Sequence, residues 1–353
     1  MLKTPFPPEV MMDARRRVLW STLACFLAGA SAHADIFVGR FGAPGDPNVV
    51  QVFVDGANGN LAPTRLLGGP AALLQTANEL VHEPSEDVLY ISDFYGQAVR
   101  VFAFSAQGNV PPLRSFTSPS LGQPRQLVVL PAHQEILTLA GTCCVATYDQ
   151  FASGSVAAVR LIPWGGSPGG LTQLDNPSGL AYWPPTDEVY VGDYDTNGGQ
   201  ILVFPRTASG NVAPSRVISG TNTQLGGWIV GLAVHPSLPE LYALAGVSGS
   251  PATGRIVTFS VSATGNATPT RVIAGGATLL ENIGDLNYDA RRDEFVVLAN
   301  AWGGGTPAVL RFARTAQGDV APIGNLSGPS TGLASIGGVL SAFSDRIFRD
   351  GFE

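Results

Sequence analysis

"VFPRTASGNVAPSRVISG", Val203 to Gly220, reads in isolation as a small site: a Gly-Asn turn, a Pro and an Arg set between apolar residues. The stretch recurs, however, as "VFVDGANGNLAPTRLLGG" (Val52 to Gly69) and "TFSVSATGNATPTRVIAG" (Thr258 to Gly275), and more loosely as "FAFSAQGNVPPLRSF" (Phe102 to Phe116) and "RFARTAQGDVAPIGNLSG" (Arg311 to Gly328). The Gly of the turn falls at Gly59, Gly108, Gly210, Gly265 and Gly318, with spacings of 49, 102, 55 and 53. The gap of 102 holds a degenerate unit around "VAAVRLIPWGGSPGG". The count is then six units of about fifty residues, the size of blade repeats.

A second pattern runs in phase with the first. "ELVHEPSEDVLYISD", "QLVVLPAHQEILTLA", "GLAYWPPTDEVYVGD", "GLAVHPSLPELYALA" and "DLNYDARRDEFVVLA" each give an apolar strand, a polar or Pro-containing turn and another apolar strand. With the Val-x-Phe and Pro-x-Arg strands of the first pattern, each unit holds four strands. The predicted fold class is all-β: a six-bladed β-propeller with four-stranded blades. "NPSGLAYWPPTDEVYVGD" resembles the NHL-repeat and lactonase-like propellers, in which an inner strand of type P-x-G-L-A precedes E-V-Y-V-x-D. The resemblance spans Asp35 to Phe343 and specifies a blade, not an activity. No Trp-Asp dipeptide of the WD40 type occurs.

The ends of the array predict how the ring closes. "DIFVGRFG" at the start matches a second strand without its inner partner, and "LASIGGVLSAF" at the end matches an inner strand without its second. Pairing them completes a blade with three N-terminal strands and one C-terminal strand. Within each blade the Gly-Asn pair is expected in the loop between third and outer strands, where positive φ is required. The following Arg65, Arg114, Arg216 and Arg271 are expected on the outer strand, as charge that discourages edge-to-edge pairing.

Residues 1–34 read as a signal peptide: Arg15 to Arg17 form a positive n-region, Val18 to Ala30 is apolar, and "SAHA" ends in an A-x-A cleavage pattern. A lipoprotein signal at Cys25 is the weaker alternative. The chain is therefore expected to be exported to the periplasm or beyond, with a propeller domain over 35–343 and a tail over 344–353. That tail, "DRIFRDGFE", resembles a short C-terminal tag of exported proteobacterial proteins, and the alternative is a frayed terminus. No later stretch has the roughly 20 uninterrupted apolar residues of a membrane helix. A net charge of −7 with few basic residues argues against nucleic acid as a partner. A monomer binding a protein, peptide or glycan is the expectation.

Candidate chemistry gathers on one face. "DYDTNGG" places Asp193, Asp195 and Asn197 as in the first half of a Ca²⁺ loop, although its twelfth position is Phe204 rather than Glu. The alternative is a hairpin turn at Asn197-Gly198. The same end of the propeller should carry Asp93 and Tyr95, Asn300 and Trp302, and, leading into inner strands, Asn78, Arg125, Asn176, Trp228 and Asn282. Aromatic and amide side chains at a propeller mouth suit a sugar or peptide. Glu79 and Asp285 would add carboxylates near the channel.

Other motifs offer less. Ser167 and Ser330 fit G-x-S-x-G only in a chain with 43 Gly, and neither sits at a strand-to-helix elbow. His82, His133 and His235 fall near the turn after an inner strand, away from the proposed mouth. Cys143 and Cys144, the cysteines left after signal removal, invite a vicinal disulfide in an oxidising compartment. The resemblance also implies an alternative function, a calcium-dependent lactonase-like hydrolase, although that family's calcium-cluster motifs do not map onto this sequence.

Overall fold

The structure is a computed structural model that describes residues 34–42, 44–141, 143–164, 170–195, 198–246, 254–299, 305–334 and 336–343. Its strands form six small antiparallel sheets, the blades of a six-bladed β-propeller. Blade II runs outward from the axis through Glu79–Glu83, Val88–Asp93, Ala98–Ala103 and Arg114–Thr117. Blade III uses Pro124–Leu130, Glu135–Ala140, Cys144–Asp149 and Arg160–Pro163. Blade IV uses Gly179–Trp183, Glu188–Asp195, Gly198–Pro205 and Arg216–Ile218. Blade V uses Trp228–Val234, Glu240–Gly246, Arg255–Ser260 and Arg271–Ala274. Blade VI uses Leu286–Asp289, Glu294–Ala299, Ala308–Ala313 and Gly324–Ser327.

Blade I closes the ring. Its inner strand is the C-terminal Ile336–Phe343, followed outward by Ala34–Arg40, Val50–Phe53 and Arg65–Leu67. Ala34 pairs with Phe343 and Val38 with Val339 in the antiparallel register that joins the two ends of the chain. The seam is the one the terminal half-units predict.

The hydrophobic core is distributed between blades. One apolar cluster joins Phe37 and Val52 of blade I to Leu89 and Phe102 of blade II, and another joins Tyr190 and Val203 of blade IV to Leu241 and Phe259 of blade V. Similar wedges fill the other four interfaces. Middle strands are covered on both faces, so "VLYISD" is buried throughout and reads as a continuous apolar run rather than an alternating one.

The repeated Gly-Asn loop does more than turn the chain. Gly265 of blade V donates its N–H to Val217 O of blade IV at 2.6 Å, and Gly108, Gly210, Gly318 and Gly59 dock in the same way on the outer strand of the blade before them. In blade III the loop instead pairs Gly154–Ser155 in parallel with blade II's outer strand. Each outer edge is thus occupied by the next blade's loop, which satisfies backbone groups that an edge strand leaves open. Gly265 sits at φ 63°, the left-handed region that favours glycine.

The arginines take a different role from the one expected. They stand on the outer strands, but the guanidiniums reach inward across the blade. Arg65 pairs with Asp35, Arg160 with Glu135 and Arg271 with Glu240, each at 2.7–2.9 Å, and Arg114 and Arg216 pair likewise with Glu86 and Glu188. Arg216 also donates to Val261 O of blade V at 2.8 Å, tying two blades together. In blade VI the arginine moves to the third strand: Arg311 pairs with Glu294 at 2.8 Å, opposite Gly324, where any Cβ would strike the guanidinium.

Candidate functional site at the propeller mouth

Second strands end, and inner strands begin, at the same end of the ring. Two acidic residues brace this mouth from within. Asp93, fully buried, accepts from the N–H groups of Gln75, Thr76 and Gly96 and from Arg100 Nε. Asp193 holds the same register in blade IV, accepting from the N–H groups of Asp175 and Asn176 and from Gln200 Nε2 at 2.9 Å. Burial raises the Asp193 carboxyl above its ordinary value.

Asp93 was expected among the ligand-binding residues and Asp193 in a cation loop; in the structure both carboxylates take donors from the loops that lead into the inner strands. Sequence could not show this, because those backbone donors lie some 17 residues upstream. Asp195 pairs through its backbone with Gly198, continuing the hairpin, and Asn197 lies outside the described residues. Among the described residues no group of three His, Cys, Asp or Glu side chains converges as a metal site. Asn300 and Trp302 also lie outside the described residues.

A pocket of about 280 Å³ opens between the clamped loops, lined by Phe41, Asn78, Phe94, Arg125, Trp228 and Asp285, among others. Two aromatic groups frame it. Phe41, Phe94 and Tyr95 pack edge to face, with Tyr95 54% exposed. Trp228 stacks on Tyr194 at 5.3 Å with the rings nearly parallel, which fixes its orientation. Phe41 and Tyr194 are contributions that single-residue inspection of the sequence passed over. Asn176 and Asn282 stand in the loops leading into inner strands, Asn282 at φ 44°, but neither lines this pocket.

Arg125 is the unusual member. Among the described residues every arginine except Arg125 and Arg255 lies within 4.0 Å of a carboxylate. The Arg125 guanidinium has no hydrogen bond to a described residue, and burial pulls its pKa below the ordinary arginine value. The side-chain amide of Asn78 is likewise without a described partner.

Beneath the mouth, Gln126 bridges the channel: its Nε2 donates to Asp285 Oδ1 at 3.1 Å and to Val230 O, and its Oε1 accepts Leu180 N–H at 2.7 Å. Glu79 lines the second cavity, about 250 Å³, deeper in the channel. Burial first, and the Asp285 charge second, push the Glu79 carboxyl well above the usual range. His82 lines this same cavity and stacks on Phe104, while His133 contacts Tyr182 and His235 packs on Tyr288. Ser330 lies beside the Asn60 cap, Ser167 falls outside the described residues, and the sulfurs of Cys143 and Cys144 are bonded at 2.03 Å.

Fold and mouth together define a six-bladed β-propeller with a small, aromatic-lined pocket at one end of its axis. No family model matches the chain, and no curated protein matches it. Among solved structures, a chain of the nidogen/laminin complex superposes with a TM-score of 0.55 at 13% identity, over 87% of this chain and 97% of its own. A putative 6-phosphogluconolactonase from Bacteroides uniformis gives 0.54 at 13% identity, over 84% and 83%. Kuenenia stuttgartiensis hydrazine synthase gives 0.45 at 15% identity over 67% of this chain, which spans 63% of that one. At these identities the likeness is one of fold.

Proposed function

We propose that the protein is an exported binding module of NHL-like propeller type, whose ligand, a glycan or peptide, sits in the mouth pocket. The observation that carries this reading is a concave site framed by fixed aromatic rings and holding two polar side chains, Arg125 and Asn78, without described partners. Both side chains are half-buried and open to the pocket, so the polar groups of a ligand can replace water on them. The solved structure from the nidogen/laminin complex is a similar propeller in an assembly of proteins, which is compatible with a binding role.

A calcium-dependent lactonase-like hydrolase is the second reading, favoured by the Glu79 and Asp285 carboxylates along the axis and by the likeness in fold to a putative 6-phosphogluconolactonase. The described residues fit a cation poorly there. Asp285 is already engaged by Gln126, and burial together with the Asp285 charge pushes the Glu79 carboxyl up, against the charged form a cation needs.

The test is to probe the full chain against a mixed glycan and peptide array, with Trp228→Ala and the opposite-face variant His133→Ala in parallel. Binding that is lost in Trp228→Ala and kept in His133→Ala is the expected result. Binding indifferent to Trp228 would remove the mouth from consideration. Export is checked by N-terminal sequencing of the secreted product, which should begin at Asp35.

A further inference from the structure

The polar side chains of the mouth are unevenly spent, and the imbalance carries information about the ligand. The Arg125 guanidinium is half-buried and has no partner among the described residues, so its charge is served by solvent alone and an anion can take the solvent's place. Nearby Arg100 is paired with Asp93 at 2.8 Å, and among the described arginines only Arg125 and Arg255 have no carboxylate within 4.0 Å. Asp285, on the same pocket, is 3% exposed and bonded to Gln126, and it does not neutralise Arg125. Around the cation lie a flat ring immobilised from one side, Trp228 on Tyr194, and the uncommitted amide of Asn78.

Building on the binding reading above, we propose that the mouth takes an anionic sugar, with its acidic group on Arg125, its ring against Trp228 and a hydroxyl on Asn78. A planar guanidinium fits a carboxylate or phosphate through two parallel N–H donors. The pocket, at about 280 Å³, lies at the small end of ligand sites, which run from roughly 300 to 1,000 Å³. That volume suits one sugar residue better than a folded surface. A peptide added as a strand is disfavoured, because the blade edges are already occupied by the loops at Gly59, Gly108, Gly154, Gly210, Gly265 and Gly318.

The experiment is saturation-transfer NMR titration of the full chain with glucuronate, glucose 6-phosphate and glucose, repeated on Arg125→Gln and Trp228→Ala. The expected result is at least tenfold tighter binding of one or both acidic sugars than of glucose. Arg125→Gln should erase that preference, and Trp228→Ala should weaken all three. The two acidic arms separate a carboxylate from a phosphate source. A preference that survives in Arg125→Gln overturns the proposal while leaving the mouth as a binding site. Binding of an Asp-rich tetrapeptide in place of every sugar, lost in Arg125→Gln, overturns the sugar assignment. No binding of any probe, with array signals indifferent to Trp228, overturns the mouth reading itself. Melting temperature is the folding control: Arg125→Gln, which loses no described partner, should melt at or above the parent.

Discussion

The side-chain oxygen of Asn266 accepts the backbone N–H of Asn222, 2.7 Å away and one blade back. The same bond recurs from Asn109 to Ala71, Asn211 to Leu171, Asp319 to Ala277 and Asn60 to Ser330. The second residue of the repeated Gly-Asn pair is thus an inter-blade cap. Gly220 allows the approach: a Cβ there would lie 2.7 Å from the Asn266 oxygen, and its φ is already 115°.

Asn266→Ala should therefore destabilise the fold by about 1 kcal/mol, the typical cost of losing an Asn cap. That corresponds to a fall of about 2 °C in melting temperature for a chain of this size. Gly220→Ala should cost more, since it adds both a clash and a strained φ. Calorimetric scans of the two variants check the order, and equal melting temperatures for parent and Asn266→Ala would count against the cap.

Acid should unfold the ring through its ion pairs. Burial alone would raise the carboxyls of Glu135, Glu240 and Asp293, but hydrogen bonds from Arg160, Arg206, Arg271 and Arg314 outweigh it and hold them below their ordinary values. A carboxyl depressed in the folded state contributes stability above its unfolded pKa, roughly 4, and loses it as pH falls through the folded value. Urea midpoints should accordingly drop from about pH 5 downward. Arg314 bonds both Asp293 and Glu240, so Arg314→Ala should cost about 1 kcal/mol at pH 7. The difference from the parent should shrink as pH falls below about 4 and through the depressed folded values, and a cost independent of pH would mean the arginine acts through packing instead.

Deleting residues 336–353 should leave the strand Ala34–Arg40 as an open edge and expose the cluster of Ile36, Val38 and Phe53. Aggregation on size-exclusion chromatography is expected, with recovery of a monomer peak on adding a synthetic 334–343 peptide. A truncated chain that stays monomeric and melts like the parent would show that the seam contributes little.

Calcium should leave the melting temperature unchanged relative to EDTA, because the Asp193 oxygens already take protein donors. Ligand at a hundred times its dissociation constant would add about 2.7 kcal/mol, so a shift of several degrees would reopen the metal reading.

The blade repeat, the strand order and the closing seam were legible because each rests on local signals: apolar hairpins, turn residues at fixed offsets, and half-units at the two ends. The roles of Arg216 and Asn266 were not legible, since both depend on what the neighbouring blade presents. Sequence placed Arg216 on an outer strand but could not show Glu188 beneath it or Val261 beyond it. The mouth divides along the same line. Arg125 and Trp228 could be assigned to that face from the start of an inner strand. The isolation of Arg125 emerges only when every other described arginine but Arg255 is seen beside a carboxylate.

Ala34 and Phe343 pair across the seam, and a loop of each blade rests on the outer edge of the blade before it, through the repeated glycine at five joints and through Gly154–Ser155 at the sixth. Every joint carries such a contact, so the position of the seam in blade I is incidental to the ring. A circular permutant that links Phe343 to Ala34 through a short hairpin, and opens instead between Thr117 and Pro124, retains every blade with its four strands.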